Sequence, residues 1–137
     1  MLDETAKGVF TIAATPFLPD GALDLDSIDR MVDAYIEKGA TGLTILGMMG
    51  EAGKLSSEES LTVVKRVTSR CSVPIVVGAS APGFAAMTAL SNAAMDAGAS
   101  AVMVAPPMGL KTDAQITGYF HNTADALGDI PFVLQDF

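Results

Sequence analysis

Five short apolar runs rich in β-branched residues punctuate this chain at a near-constant interval. They occupy residues 9–13, 43–46, 75–77, 101–104 and 132–134. Their centres lie about 30 residues apart, the length of one strand plus a crossover helix. Helical patterns fill the gaps. Ile28, Met31, Val32, Tyr35 and Ile36 repeat at i, i+3, i+4, i+7 and i+8. Asp24 or Asp26 can cap that helix, and Gly39 can close it as a left-handed residue just past its end. Ser56-x-x-Glu59 and Thr112-x-x-Gln115 read as capping boxes. The first opens a helix carrying Leu61, Val64 and Val67; the second carries Ile116, Tyr119, Phe120, Thr123 and Leu127. Residues 83–97 form a further helical stretch, nearly all small or apolar, that must pack on neighbours.

An internal repeat supports the alternation. The segment Gly39-Ala40-Thr41-Gly42 leads into the second run much as Gly98-Ala99-Ser100-Ala101 leads into the fourth. The two lie about 60 residues apart, which is two strand–helix units. In each, a helix-ending glycine feeds a strand buried on both faces, as in parallel sheets.

Alternating strands and helices leave a doubly wound sheet or a (β/α)8 TIM barrel. A full barrel needs about 250 residues. This chain of 137 residues supplies four βα units and a fifth strand, ending at Leu134-Gln135-Asp136-Phe137. The expectation is one domain, residues 1–137, forming the N-terminal half of a TIM barrel and interrupted within strand five. A five-stranded flavodoxin-like sheet is the rival, and it would want a fifth helix to cover its second face. A half-barrel alone would expose two sheet edges and an apolar inner face, and would dimerise, aggregate or stay partly molten.

Composition narrows the partners. Formal net charge is −8 with only eight basic residues, so nucleic acid would be repelled and any anion site must be local. No run approaches the roughly 20 apolar residues of a membrane helix. The acidic start, Met1-Leu2-Asp3-Glu4, is unlike a signal peptide. Cys71 is the single cysteine, which excludes an intrachain disulfide and suits a cytoplasmic location. His121 is the single histidine, falls on the fourth helix, and has no clustered Cys or carboxylates with which to hold a metal.

Ligands of parallel α/β folds bind beyond the carboxyl ends of the strands. The loop Gly47-Met48-Met49-Gly50-Glu51 stands at such an end. Two glycines bracketing two residues let bare backbone N–H groups converge on an anion. Glu51 reads as a brace rather than a catalyst. The other loops on that side are Thr15-Pro16-Phe17, Gly78-Ala79-Ser80-Ala81, Ala105-Pro106-Pro107-Met108 and Gln135-Asp136-Phe137. Ser80 reads as a turn former. On a two-residue alternation Gln135 faces the site as the candidate catalytic side chain, while Asp136 is either a local acid/base group or faces the outer helices. Lys7, Lys38, Lys54, Lys65 and Lys111 read as solvated surface lysines.

The Gly-x-x-Gly-Glu loop resembles that of the dihydrodipicolinate synthase / N-acetylneuraminate lyase family. So do the opening Gly8-Val9-Phe10-Thr11 with Thr15-Pro16-Phe17, the Leu55-Ser56-x-x-Glu59 segment, Pro74 to Gly78, and Ala97-Gly98-Ala99 through Pro107. The resemblance spans essentially the whole chain. It implies a TIM barrel and a Schiff-base lyase, of aldolase or dehydratase type, with no cofactor. Its substrate would be a 2-keto acid such as pyruvate or a sugar-acid derivative, and its assembly a homo-oligomer, commonly a tetramer. Gly47, Met48, Met49, Gly50 and Met108 would contact substrate and Gln135 would orient it. The iminium-forming Lys would lie on the sixth strand, beyond this chain, so the 137 residues alone would be inactive. The family's proton relay, a loop hydroxyl and two Tyr, falls on Met48, Gln135 and Met108 or Pro107. None of these titrates near neutral pH, so the synthase reaction itself is not expected. The alternatives are a non-catalytic metabolite-binding homologue and an inactive fragment.

Overall fold

A computed structural model describes residues 1–136. Phe137, the last residue of the expected strand-five loop, lies outside the described residues. The apolar runs become β1 (Phe10–Ile12), β2 (Gly42–Ile45), β3 (Ile75–Gly78), β4 (Ala101–Val104) and β5 (Phe132–Leu134). Between them lie α1 (Leu25–Glu37), α2 (Ser57–Arg70), α3 (Phe84–Asp96) and α4 (Asp113–Leu127), with a 3-10 turn at Ala52–Lys54 ahead of α2.

All five strands pair in parallel in the order β1-β2-β3-β4-β5. A doubly wound sheet reverses its strand order and carries helices on both faces. Here the order never reverses, and each helix packs on the next, α1 on α2, α2 on α3 and α3 on α4. The sheet is therefore an arc of a (β/α)8 barrel, and the flavodoxin-like alternative falls.

Strand alternation divides the residues between two faces. Leu43, Ile45, Ile75 and Val77 point outward and join Ile28, Val32, Val63, Val64 and Val67 of the helices in one buried cluster. Val102 and Val104 join Met87, Tyr119 and Leu127 in a second. The other face carries Ile12, Thr44, Val76, Ala101, Met103 and Val133, which meet side by side through the strand register. Val76 and Ala101 are buried yet belong to neither helix-facing cluster, as inner-face positions should.

Local chemistry sets the helix ends. Asp24, not Asp26, caps α1 and accepts from the Ser27 N–H at 2.9 Å. Both capping boxes form. Gly39 and Gly98, at φ of 90° and 99°, end α1 and α3 with the same paired bonds. Gly39 N–H donates to Ile36 and Ala40 N–H to Tyr35; Gly98 N–H donates to Met95 and Ala99 N–H to Ala94. This is a Schellman turn used twice, so the repeat seen in the sequence is a repeat of helix-ending geometry. On α2 the buried stripe is Ser60, Val63, Val64 and Val67. Leu61, expected on that stripe, is half-buried because the helix turns Val63 inward instead. Arg66 grips Asp29 through two bonds of 2.7 and 2.8 Å, tying α2 to α1. Among the described residues no helix is long and apolar enough to cross a membrane.

Two expectations follow from these ends. The Ser27 hydroxyl and N–H hold the Asp24 carboxyl below its ordinary 3.8, and the Ser56 N–H and hydroxyl hold Glu59 below 4.5. Carboxyls so depressed stabilise the fold fully above those ordinary values and lose that contribution as pH falls through the lower folded ones. Asp24→Asn with Glu59→Gln should therefore flatten the acid limb of stability against pH, read by urea denaturation; an unaltered limb would refute the caps as its source. Gly98→Ala, placing a side chain at positive φ, should cost about 1 kcal/mol or more, and an unchanged midpoint would show that the turn relaxes freely.

Candidate functional site

The carboxyl ends of β2, β3, β4 and β5 enclose a cleft of about 830 Å³. Its shape starts with a backbone crossing. Leu46 follows β2 in a left-handed conformation, φ 55°, although it is buried and has a Cβ. That turn lays its carbonyl against the Cα of Gly78 at the end of β3. A Cβ at position 78 would collide with the Leu46 carbonyl and come within 3.2 Å of the Gly47 nitrogen. Glycine is therefore required by contact rather than by φ. The second left-handed non-glycine residue is Glu51, φ 53°, so the two described residues of this kind bracket the Gly-Met-Met-Gly loop. Conformations of this sort cost free energy and concentrate at functional sites.

The loop leaves its donors open. Among the described residues, the backbone N–H groups of Gly47, Met48, Met49 and Gly50 find no protein acceptor, whereas the Glu51 N–H donates to the Met48 carbonyl at 3.1 Å. The far end of the loop is fixed from β1. The buried Thr15 hydroxyl donates to the Gly50 carbonyl at 2.6 Å. Gly50 itself packs close, and a Cβ there would lie 3.0 Å from the Leu46 nitrogen.

Not every expected contact residue reaches the cleft. Gly47, Met48, Met108 and Gln135 line it. Met49 does not, since its side chain turns to solvent. Gly50 does not either, because it is packed beneath the loop, with its carbonyl engaged by Thr15. Gln135 is positioned by its own N–H, which donates to the Val104 carbonyl at 2.9 Å and extends the β4–β5 ladder past the strand end. Asp136 is exposed and lies outside the lining. Glu51 lines the edge of the cleft and pairs with Lys54 across the 3-10 turn. That pairing lies within its own turn, between partly and highly exposed side chains. Ser80 is both brace and wall: its hydroxyl accepts from the Ala105 N–H at 2.9 Å and joins the β3 and β4 loops.

Two contributors carry no readable signal at their own positions. Thr15 lies in a loop expected to face ligand, but the pairing of β1 with β2 brings it under Gly50. The Thr15-Pro16-Phe17 loop lines none of the cleft; Pro16 accepts from the Asp24 N–H, and Phe17 bridges to Leu23. Lys54, expected as a solvated surface lysine, is highly exposed, yet the 3-10 turn folds it back to the cleft rim. His121 is exposed on α4, and no group of three or more His, Cys, Asp or Glu suited to a metal occurs among the described residues.

Comparison with known proteins agrees with this geometry. The dihydrodipicolinate synthetase family model matches residues 5–137. The 4-hydroxy-tetrahydrodipicolinate synthase of Xanthomonas axonopodis pv. citri is 37% identical over 131 residues, covering 93% of this chain and 43% of its own length. A crystal structure of dihydrodipicolinate synthase from Rhodopseudomonas palustris superposes with a TM-score of 0.95 at 51% identity, covering 99% of this chain and 46% of that one. YagE, a prophage protein of E. coli K12 in the dihydrodipicolinic acid synthase family and solved in complex with pyruvate, superposes at 0.85 with 29% identity, covering 95% and 44%. The chain thus spans less than half the length of these relatives.

The crossing and its anchor can be tested directly. Gly78→Ala should push the Leu46 carbonyl aside at a cost of about 1–3 kcal/mol. Thr15→Val, which leaves the buried Gly50 carbonyl unpaired, should cost a similar 1–3 kcal/mol or so. Amide chemical shifts of residues 47–51 should move in both variants; unmoved shifts would mean that other contacts hold the loop.

Proposed function

The chain belongs to the dihydrodipicolinate synthetase family, and on that premise we propose that the protein carrying it is a Schiff-base lyase acting on a 2-keto acid. Residues 1–137 supply the first half of one barrel domain. The observation that carries the reading is the run of unpartnered N–H groups at residues 47–50, at the carboxyl end of a strand, of which Gly47 and Met48 line the cleft. Such a run suits a carboxylate, and the pyruvate complex of YagE supports pyruvate as the simplest occupant. The Gln135 amide, offering one donor and one acceptor group, orients the keto oxygen or a neighbouring hydroxyl. A Lys from the remainder of the barrel forms the iminium, the electron sink for making or breaking a C–C or C–O bond.

The reaction differs from that of the synthases. Where the family resemblance calls for hydroxyl groups, Met48, Met108 and Gln135 line this cleft. None of the three can take a proton from a reacting carbon near neutral pH. Proton movement then falls to water, to the substrate or to groups on the rest of the barrel. The same three residues favour a second reading, a non-catalytic protein that only binds the keto acid. We extend the proposal to a homo-oligomer, tetrameric as the resemblance implies, in which the exposed Met49 is a natural contact. The free Cys71 suits the reducing cytoplasm in which we place it.

Intact mass after pyruvate and borohydride treatment separates the readings. The complete protein should gain one reduced pyruvate adduct, and residues 1–137 alone should gain none. Pyruvate binding without an adduct in the complete protein would select the non-catalytic reading, and absence of both would refute the site.

A further inference from the structure

We propose that the partner of the keto acid in this cleft is an apolar aldehyde, selected by Met48 and Met108. This inference rests on the 2-keto acid reading above and specifies the second substrate of the same site. It starts from how polar groups are distributed in the cleft. The carboxylate end is supplied by the open backbone N–H groups of the β2 loop, where Gly47 and Met48 line the cleft. Away from that end the polar side chains are few. Glu51 and Lys54 are the titratable residues among the described lining, and they engage each other. Ser80 is already bonded to the Ala105 N–H, which leaves Gln135 as the uncommitted amide.

Apolar groups supply the rest of the wall. Met48, 80% exposed on the β2 loop, and Met108, 76% exposed on the β4 loop, stand on the rim. Met103 rises from the inner face of β4, and Pro106 and Pro107 close the side. Exposure at this mouth is what half a barrel must show; the apolar character of the lining, and not its exposure, is what selects the partner. Thioethers on flexible, unbranched chains mould to irregular apolar shapes and form favourable contacts with aromatic rings. A polyhydroxylated aldehyde would leave several hydroxyls without partners against this wall, and each such loss weighs against it. A hydrocarbon or aryl aldehyde needs no such partners. The sugar-acid substrates that the family resemblance admits are therefore the poorer fit to this half of the site.

The chemistry balances with nothing else consumed. The methyl carbon of pyruvate, activated as the enamine, bonds to the aldehyde carbon. The carbonyl electron pair becomes an alkoxide and takes up a proton, replacing the one lost from the methyl group. The product is a 4-hydroxy-2-keto acid bearing the apolar substituent, and hydrolysis of its iminium releases the Lys. The reverse direction breaks the same C3–C4 bond.

The test uses the complete protein, pyruvate, and two pairs of aldehydes, butanal and benzaldehyde against glycolaldehyde and glyceraldehyde. The borohydride adduct with pyruvate is measured in parallel. We expect the apolar pair to be favoured at least about tenfold in kcat/KM, the scale on which apolar pockets discriminate. Met48→Gln with Met108→Gln keeps side-chain length but replaces the thioethers with amides. Retention of the borohydride adduct shows that the variant still folds. It should lose about tenfold in kcat/KM on the apolar aldehydes and not on the hydroxyaldehydes, with adduct formation measured beside it at saturating pyruvate. An adduct with hydroxyaldehydes preferred, or a variant that moves both aldehyde classes equally, would overturn the inference and leave the keto-acid reading standing. No adduct at all would overturn both.

Discussion

The peptide joining Leu46 to Gly47 crosses directly over the Cα of Gly78, and much else in the cleft follows from that approach. Parallel strands stand about 4.8 Å apart, so a backbone turning off one strand end has little room before it meets the next. Leu46 makes the turn in a conformation its Cβ disfavours, and its burial among Ala13 and the helix-facing residues is what holds it there. A residue with no side chain on the neighbouring strand accepts the carbonyl. The N–H groups of residues 47–50 that follow find no protein acceptor among the described residues, and Gly47 and Met48 line the cleft. Strain is thus placed at the edge of the cleft.

The remaining supports tie the loops around the cleft together from three strands. Thr15 arrives from β1 and takes the Gly50 carbonyl. Ser80, beyond β3, ties its loop to that of β4. Gln135 extends the ladder beyond β5. None of these contacts joins residues close in sequence, and each depends on the strand register. The outer helices contribute indirectly, through the two clusters that press the sheet into its order. The site is in this sense a property of sheet pairing, with side-chain identity adding the wall.

The fold is legible in the sequence because its signals are local. A capping box, a helix-ending glycine or a β-branched run acts within a few residues, and the ends of α1, α2 and α4 lie where those signals put them. The unreversed strand order has no local sign; repeats about 30 residues apart suit either α/β architecture. The candidate site is legible only in part for the same reason. Met48, Met108 and Gln135 reach the cleft because loop position and strand alternation are enough to place them. Met49 and Gly50 escape it because the conformation at Leu46 and Glu51 decides which way the loop faces, and a Leu in an apolar run predicts extended backbone. Thr15 and Lys54 are brought in by long-range pairing and by a 3-10 turn, neither of which a nearby residue announces.

The unreversed strand order has a consequence for how the chain is made. Every strand pairs with the strand synthesised just before it, at a separation of one βα unit. Contacts that close short loops form early and cost little chain entropy. As the nascent polypeptide leaves the ribosome, each unit finds its docking edge already built, and the growing edge is always the newest strand. The Gly47–Gly50 loop, however, emerges before the residue it rests on. It acquires its final shape only when β3 brings Gly78 beneath Leu46, so the loop matures one step behind the strand that bears it.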